Sequence, residues 1–342
     1  MRVMVTGANG YIGNALLHAL STTKHEVLGL DTYWRKVWVK ECGGESLTHY
    51  EEKPFLFCNV ADLNGLANAL AYFKPDVIIH LASQPSGPYS EIDIKHRVDT
   101  QTNNLTMLMN LLHLPQVLNF KPKYIVTTTT GVPGAPGEPI VESHMANLAG
   151  SSYHASRGFD SANINLACRQ LGLNILEMRT AIVYGTRIDG VDEAVTRFDW
   201  DFYFGTAIHR FLLNRLTNKD ITIYGKGEQM KPVISLRDTV RSILNAIEEP
   251  TLGHQIVNQT TQCLSVLDMA QAVGGNVTHI PNPRVEKEEY KMDIRNDKFL
   301  KLLNATPSTI NSEIMQMKSD LDLNLLPKEY LKAYDGIFRQ QA

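Results

Sequence analysis

The chain has 342 residues, 43% of them hydrophobic and 20% charged, with a formal net charge of −3. That is ordinary for a globular protein; the charge gives no reason to expect nucleic acid or an anionic membrane as partner, and no apolar run approaches the ~18 residues of a membrane span. Cys42, Cys58, Cys168 and Cys263 lie far apart with no C-x-x-C spacing, which reads as reduced thiols in the cytoplasm, with neither a zinc site nor a disulfide framework.

The opening "MRVMVTGANGYIG" enters a strand pattern at once, so no cleavable targeting peptide is expected. "RVMVTG" is an apolar strand running into glycine, and "YIGNALLHALSTT" has the apolar spacing of a helix. "HEVLGLD" is a second strand. The segment "TYWRKVWVKECGGESLTHYEEKP" is irregular and reads as a surface loop or short helices. Then follow a strand in "FLFCNVAD", a helix in "LNGLANALAYF", a strand in "PDVIIHLAS", a long helix in "RVDTQTNNLTMLMNLLHL" and a strand in "KYIVTTTT". "YHASRGFDSANINLACRQLG" is a helix and "NILEMRTAIVYG" a sixth strand. Strict alternation predicts an α/β fold, a doubly wound parallel sheet of the Rossmann type with right-handed crossovers. Beyond Gly185 the rhythm loosens, with a helix expected in "LRDTVRSILNAIE". Residues 1–185 are therefore expected to form the Rossmann domain and 186–342 a smaller substrate-binding lobe over the C-terminal sheet edge, with the chain free to cross between the two.

Gly7, Gly10 and Gly13 stand between the first strand and first helix, spaced G-x-x-G-x-x-G. Glycines let the backbone turn tightly and approach a pyrophosphate at the helix N-terminus, with Asn9, Tyr11 and Ile12 alongside. A glycine turn that merely packs helix on strand is the bland alternative. Asp31, ending the second strand, decides for a dinucleotide: a carboxylate accepts from a ribose diol and repels a 2′-phosphate, so the expected cofactor is NAD over NADP, with Arg35 a nearby counterweight. Asn59 and Val60 are expected beside the adenine, and Leu81, Ala82 and Ser83 along the pyrophosphate and nicotinamide ribose.

Tyr153 is followed four residues later by Arg157, a weak signal alone. With "VTGANGYIG", "IIHLAS", "TNN", "VTTTTG", "YHASR" and "VYG", however, the chain resembles the extended short-chain dehydrogenase/reductase family, the NAD-dependent nucleotide-sugar epimerases and dehydratases. Within it, "QPSGPYSEID", "SSYHASR", "RFDWDFYFGTAIHRF" and "IPNPRVEKEEY" are similar to the UDP-sulfoquinovose synthase group. The resemblance implies transient oxidation at C4 of a UDP-hexose. Tyr153 as phenolate takes the hydroxyl proton, Arg157 stabilises the phenolate and holds the nicotinamide ribose, and Thr129 hydrogen-bonds the same sugar oxygen. It also implies cofactor contacts at Thr127 and Asn104, and substrate contacts at Gln84, His154, Lys231 and Arg284. Asp199, Asp201, Trp200 and Tyr203 are open between sugar pocket and lid packing. A homodimer through the Tyr153 helix is expected by analogy.

The group's relatives place Arg where this chain has Pro85, Glu where it has Val132 and Lys where it has Arg157. No carboxylate follows Thr129 closely, unlike the 4,6-dehydratases. A UDP-hexose 4-epimerase, an oxidoreductase of a non-sugar alcohol and a non-catalytic NAD-binding protein therefore stay open beside the sulfite-using reading.

Overall fold

The computed structural model describes residues 1–41, 46–132, 140–143, 150–281 and 294–326. The first pass of the chain runs β1 (Arg2–Thr6), α1 (Tyr11–Ser21), β2 (Glu26–Asp31), α2 (Trp34–Glu41), β3 (Leu56–Phe57), α3 (Leu63–Phe73), β4 (Val77–His80), α4 (Gly87–Ser90), α5 (Ile94–Val117), β5 (Lys123–Thr129), α6 (Ser152–Leu171) and β6 (Asn174–Thr180). The second runs β7 (Ile182–Tyr184), α7 (Ala207–Leu216), β8 (Ile221–Tyr224), β9 (Met230–Ser235), α8 (Leu236–Glu248), β10 (His254–Gln259), β11 (Gln262–Ser265), α9 (Val266–Val273), β12 (Val277–Ile280), α10 (Asp297–Leu303) and α11 (Ile310–Asp320).

The central sheet has seven strands in the order β10-β6-β5-β4-β1-β2-β3, and every pairing is parallel. This is the doubly wound α/β sheet that the alternation predicts. Successive side chains of each strand enter opposite layers. Val3, Val5, Ile79 and Ile125 pack under α1 and α8, while Met4, Ile78, Tyr124 and Val126 pack under α3, α5 and α6. Strand order reverses between β1 and β4, and at such a reversal the two crossovers leave in opposite directions and open a crevice.

Two elements differ from their sequence pattern. β3 is two residues at the sheet edge, because Asp62 leaves the strand to cap α3, accepting from the amides of Asn64 and Gly65. The expected sixth strand divides at Ala181: β6 stays in the central sheet, and β7 joins a second sheet of order β11-β9-β7. Both halves are buried, so periodicity carries no mark of the switch. Beyond Gly185 the chain crosses back, and α8, β10 and α10 return to the central sheet. β10 pairs with β6, and Leu236, Val240, Ile243, Ile247, Val257, Phe299 and Leu303 fill the layer beneath α1. A third apolar cluster, with Tyr184, Phe198, Trp200, Phe211, Ile221 and Met269, forms the smaller lobe. Among the described residues no helix is long and apolar enough to cross a membrane.

The return has a measurable consequence. Each of the seven side chains beneath α1 contributes about 1.5–3 kcal/mol by burial, so together they equal or exceed the ~5–15 kcal/mol that holds a domain folded. A fragment of residues 1–185 is expected to show no cooperative thermal transition and to bind a hydrophobic dye. A sharp melt of that fragment would show that the first pass folds alone.

Candidate active site

The crevice is a cleft of about 2790 Å³ at the C-terminal ends of β1, β2, β4 and β5, roofed by the smaller lobe. On one side stands the N-terminus of α1. Helices α3, α5, α6, α7, α8, α9 and α11 each open on an Asp, Ser or Thr whose side chain accepts from the first turn. α1 opens instead on Gly10, which has no side chain to do so, and Gly10, Tyr11, Ile12 and Gly13 face the cleft. Its first-turn amides are thus left for an anion. Gly7 has φ +75°, and a Cβ there would lie 2.6 Å from the amide nitrogen of Ala82, so only glycine lets β1 turn so close to β4. Asn9 lines the cleft with its side-chain nitrogen Nδ2 buried and without a partner. Asp31 accepts from the backbone amides of Asn9 at 2.9 Å, Thr32 at 2.7 Å and Tyr33 at 3.1 Å, which fixes its carboxylate at the rim. A carboxylate has about four acceptor sites, so one remains, on Oδ2, for a ribose hydroxyl. Asn59, Val60, Leu81, Ala82, Ser83 and Arg35 also line this part of the cleft.

Opposite, the ends of β5 and α6 supply Thr127, Thr129, Tyr153 and His154, with Gln84 beside them. Ser151 caps α6, accepting from the His154 amide, and its hydroxyl lies 2.8 Å from His154 Nδ1. Together these aim the ring across Gly131, where a Cβ would meet Nε2 at 2.6 Å. Burial, then the Lys231 charge, lowers the His154 pKa to about 4, so the ring is neutral in use. Thr129 Oγ1 accepts from the Gly131 amide at 3.2 Å, leaving its proton to donate. Burial raises the Tyr153 phenol, Arg157 pulls it down and Asp160 raises it again, for a net rise.

Two residues expected at the cofactor are set back from the cleft. Asn104 is 0% exposed. Its Oδ1 accepts from the Gln84 amide at 2.6 Å, and its amide donates to Gln84 O and, at 3.0 Å, to Ser156 Oγ. An amide that satisfies both backbone groups of one residue is a staple for the loop after β4, and this one has no group left for a ligand. Arg157 is 1% exposed. It donates through Nη2 to Thr127 O at 2.6 Å, and its Nη1 lies 2.7 Å from Asp160 Oδ2 in an ion pair poorly directed as a hydrogen bond. Arg284 lies outside the described residues.

The roof holds groups that sequence spacing does not reveal. Asp199 takes a bond of 2.9 Å from Arg35 and another of 2.9 Å from Arg197, and Arg197 donates to Asn9 O at 2.6 Å. Burial raises the Asp199 carboxyl, but Arg197 and Arg35 outweigh it and hold it below the ordinary range. Arg35 also stacks 3.7 Å from the Phe204 ring centroid. Trp34 and Trp38 of α2, Tyr89 of α4, and Tyr203 and Phe204 join into one aromatic group, with Trp38–Tyr89 centroids at 5.2 Å and Tyr89–Phe204 at 5.3 Å. Asp199 and Tyr203 thus belong to a lid that shuts the mouth above the glycine turn. Ser86, at φ +92°, donates to Tyr203 O and ties the loop before α4 to this lid. The far wall carries Lys231 and Arg210. Among the described residues no group of His, Cys, Asp or Glu is arranged to hold a metal ion.

A family model, "NAD dependent epimerase/dehydratase family", matches residues 3–258. The chloroplastic UDP-sulfoquinovose synthase of Spinacia oleracea is 31% identical, covering 88% of this chain and 71% of that protein. The UDP-sulfoquinovose synthase of Sulfolobus acidocaldarius is 29% identical, covering 85% and 84%. Among solved structures, a UDP-glucose 4-epimerase of Thermotoga maritima with UDP-glucose superimposes with a TM-score of 0.76 at 19% identity, covering 93% of this chain and 99% of that one. At that identity the likeness is one of fold.

The buried histidines around the cleft give stability a pH dependence. Folding depresses His80 to about 3, His154 to about 4 and His209 to about 4, chiefly by burial. A histidine depressed in the fold contributes stability above its unfolded pKa near ~6.5, and that stability is lost as pH falls toward the folded value. Asp160, raised to about 6, works the other way between ~4 and 6. For these four groups the unfolded chain binds about two more protons than the fold near pH ~5, a slope of about 3 kcal/mol per pH unit. Urea unfolding from pH ~7 to ~5 should show the midpoint falling steeply with acid. A flat profile would mean these rings are charged in the fold.

Proposed function

The chain belongs to the NAD dependent epimerase/dehydratase family, and from that membership we propose that it oxidises C4 of a UDP-hexose transiently, as an enzyme of the UDP-sulfoquinovose synthase type. NAD is the cofactor, and the residues present fit it: the uncapped start of α1 and the unpartnered Asn9 Nδ2 suit a pyrophosphate, and the remaining acceptor site of the fixed Asp31 carboxylate suits a ribose hydroxyl. When bound, it supplies hydride acceptance and return.

The chain's own residues do the rest. Asp31 accepts from a ribose hydroxyl and repels a 2′-phosphate, and Arg35 is held from offsetting this by Asp199 and Asp201. Tyr153 takes the proton of the C4 hydroxyl while Thr129 donates to the same oxygen and orients it. His154, neutral, borders the sugar, and Lys231 with Arg210 balances the diphosphate. The observation that carries this reading is the convergence of Tyr153 and Thr129 on one cleft with the uncapped helix and Asp31. The two sulfoquinovose synthases favour addition of sulfite after C4 oxidation.

A 4-epimerase is the second reading, favoured by the wall beside Thr129. Val132 is buried in the interior, and Pro85 presents no charge to the cleft. Glu91, which borders the cleft, is engaged by the Ser152 amide at 2.6 Å and by Arg97 at 2.8 Å. Exposed Ile94 and Val98 on α5, with Phe159 and Leu166 on α6, support a homodimer through these helices. The thiols of Cys58 and Cys168, which form no disulfide, fit a reducing compartment such as the cytoplasm.

Proton NMR of the NAD-loaded protein with UDP-glucose, with and without sulfite, tests the reading. Signals of a C6 sulfonate that require sulfite support the first reading, UDP-galactose in both samples supports the second, and no change in either overturns both. Tyr153→Phe should lower turnover about 10²–10⁴-fold with unchanged melting temperature. Turnover near that of the natural protein would remove Tyr153 as the base.

A further inference from the structure

Arg157 is sealed beneath the cleft floor, and a buried guanidinium needs a counter-charge, because desolvation costs several kcal/mol per ion. Asp160 supplies it from the next turn of α6. It is 0% exposed, with Oδ2 2.7 Å from Arg157 Nη1. Other elements close the pair in. β4 brings His80, which burial, then Arg157, holds neutral down to about pH 3, and whose Nδ1 lies 2.8 Å from Thr6 Oγ1. β5 brings the Thr127 carbonyl. β6 brings Glu177, whose charge is taken up by Thr128 at 2.9 Å, Ser161 at 2.8 Å, Arg179 at 3.2 Å and His254 of β10 at 2.9 Å.

Glu177 is thus matched by its own partners, and Asp160 is the carboxylate left to Arg157. Tyr153 lies one turn before Arg157 on the same helix, so the phenol shares this field. The signs are opposed: Arg157 eases ionisation of the phenol and Asp160 resists it.

We propose that Asp160 is a positioning residue for the Tyr153 step: it clamps the Arg157 guanidinium against Thr127 and, by cancelling part of its charge, sets the pH at which the Tyr153 phenol loses its proton. The inference rests on the reading of Tyr153 as the base. It assigns the cation a place inside the protein, pinned at both ends, and makes the ion pair the unit that acts on the phenol. A proton gained by Asp160 frees the Arg157 charge and eases proton loss at Tyr153; by reciprocity, an ionised Tyr153 raises the proton affinity of Asp160.

The test reads Tyr153 directly, without UDP-sugar. NAD-loaded protein carrying ring-labelled tyrosine is titrated by carbon NMR, with the Tyr153 resonance identified by its loss in Tyr153→Phe. In the natural protein the resonance should show a small inflection near pH 6, where burial places Asp160, followed at higher pH by its own ionisation. Asp160→Asn should erase the inflection and lower the ionisation midpoint by about one unit. The acid limb of the kcat profile should move with it. Asp160→Glu, which keeps the charge if the amide variant does not fold, should move the inflection without erasing it. The proposal is overturned if the natural protein shows no inflection, if the inflection survives Asp160→Asn, or if Asp160→Asn lowers the rate equally at every pH with the midpoint fixed. Absence of any UDP-hexose turnover would sink the reading of the substrate and leave the NMR result standing.

Discussion

The cleft depends on a helix that begins without a cap. α1 starts at the reversal of strand order between β1 and β4, and Gly10 leaves its first amides unsatisfied by any side chain. Most other helices of the chain are closed by Asp, Ser or Thr, so the lack of a cap here is local and concerns one anion site. Gly7 makes the turn tight enough to put that site beside Ala82, and Asp31 braces the turn through the Asn9 amide. Every other group in the cleft is placed relative to this point.

The smaller lobe is fastened to the same point. Asn14, buried on α1, donates to Val195 O at 2.7 Å and to Glu51 O at 2.9 Å, and accepts from the Lys53 amide at 2.9 Å. Tyr11 donates to Gly185 O, and Arg197 donates to Asn9 O. The bonds to Val195 and Gly185 and from Arg197 tie the glycine turn and its helix to the roof. The Arg35–Asp199–Arg197 cluster adds charge balance, with one carboxylate facing two guanidiniums. The lid is therefore fastened to the glycine turn, although it comes from a different stretch of chain.

How much of this was legible in the sequence follows from how far apart the partners are. Gly7, Gly10, Gly13, Asp31, Tyr153 and Thr129 occupy the ends of consecutive elements, and short-range spacing on a parallel sheet brings such ends to one edge. Asp199 and Tyr203 were legible as pocket or lid residues, but their partners were not, because Arg35 and Asp199 are 164 residues apart and nothing local to either announces the other. The aromatic group was half visible: Trp34 and Trp38 share a helix face by their spacing, but Tyr89 and Phe204 join them only through the fold. The switch at Ala181 was hidden by continuous burial on both sides, and the return of β10 by a hydrophobic pattern that fits an edge strand in either sheet. Asn104 was expected at the cofactor; its actual partner, the backbone of Gln84, was not legible.

The Tyr153–Arg157 spacing shows what a motif does and does not fix. Four residues on a helix guarantee that the cation lies under the phenol; they say nothing of where the charged end goes. A lysine ammonium is compact, whereas a guanidinium is planar and presents several donors in a fixed fork, so it settles where two or more acceptors match that fork. Here one nitrogen meets the Thr127 carbonyl and another is paired by charge with Asp160, both inside the protein. The charge at this turn is the one the spacing leads one to expect, but its partners lie in the interior. The guanidinium is thereby held behind the cleft wall, one helical turn from the phenol, rather than at the wall itself.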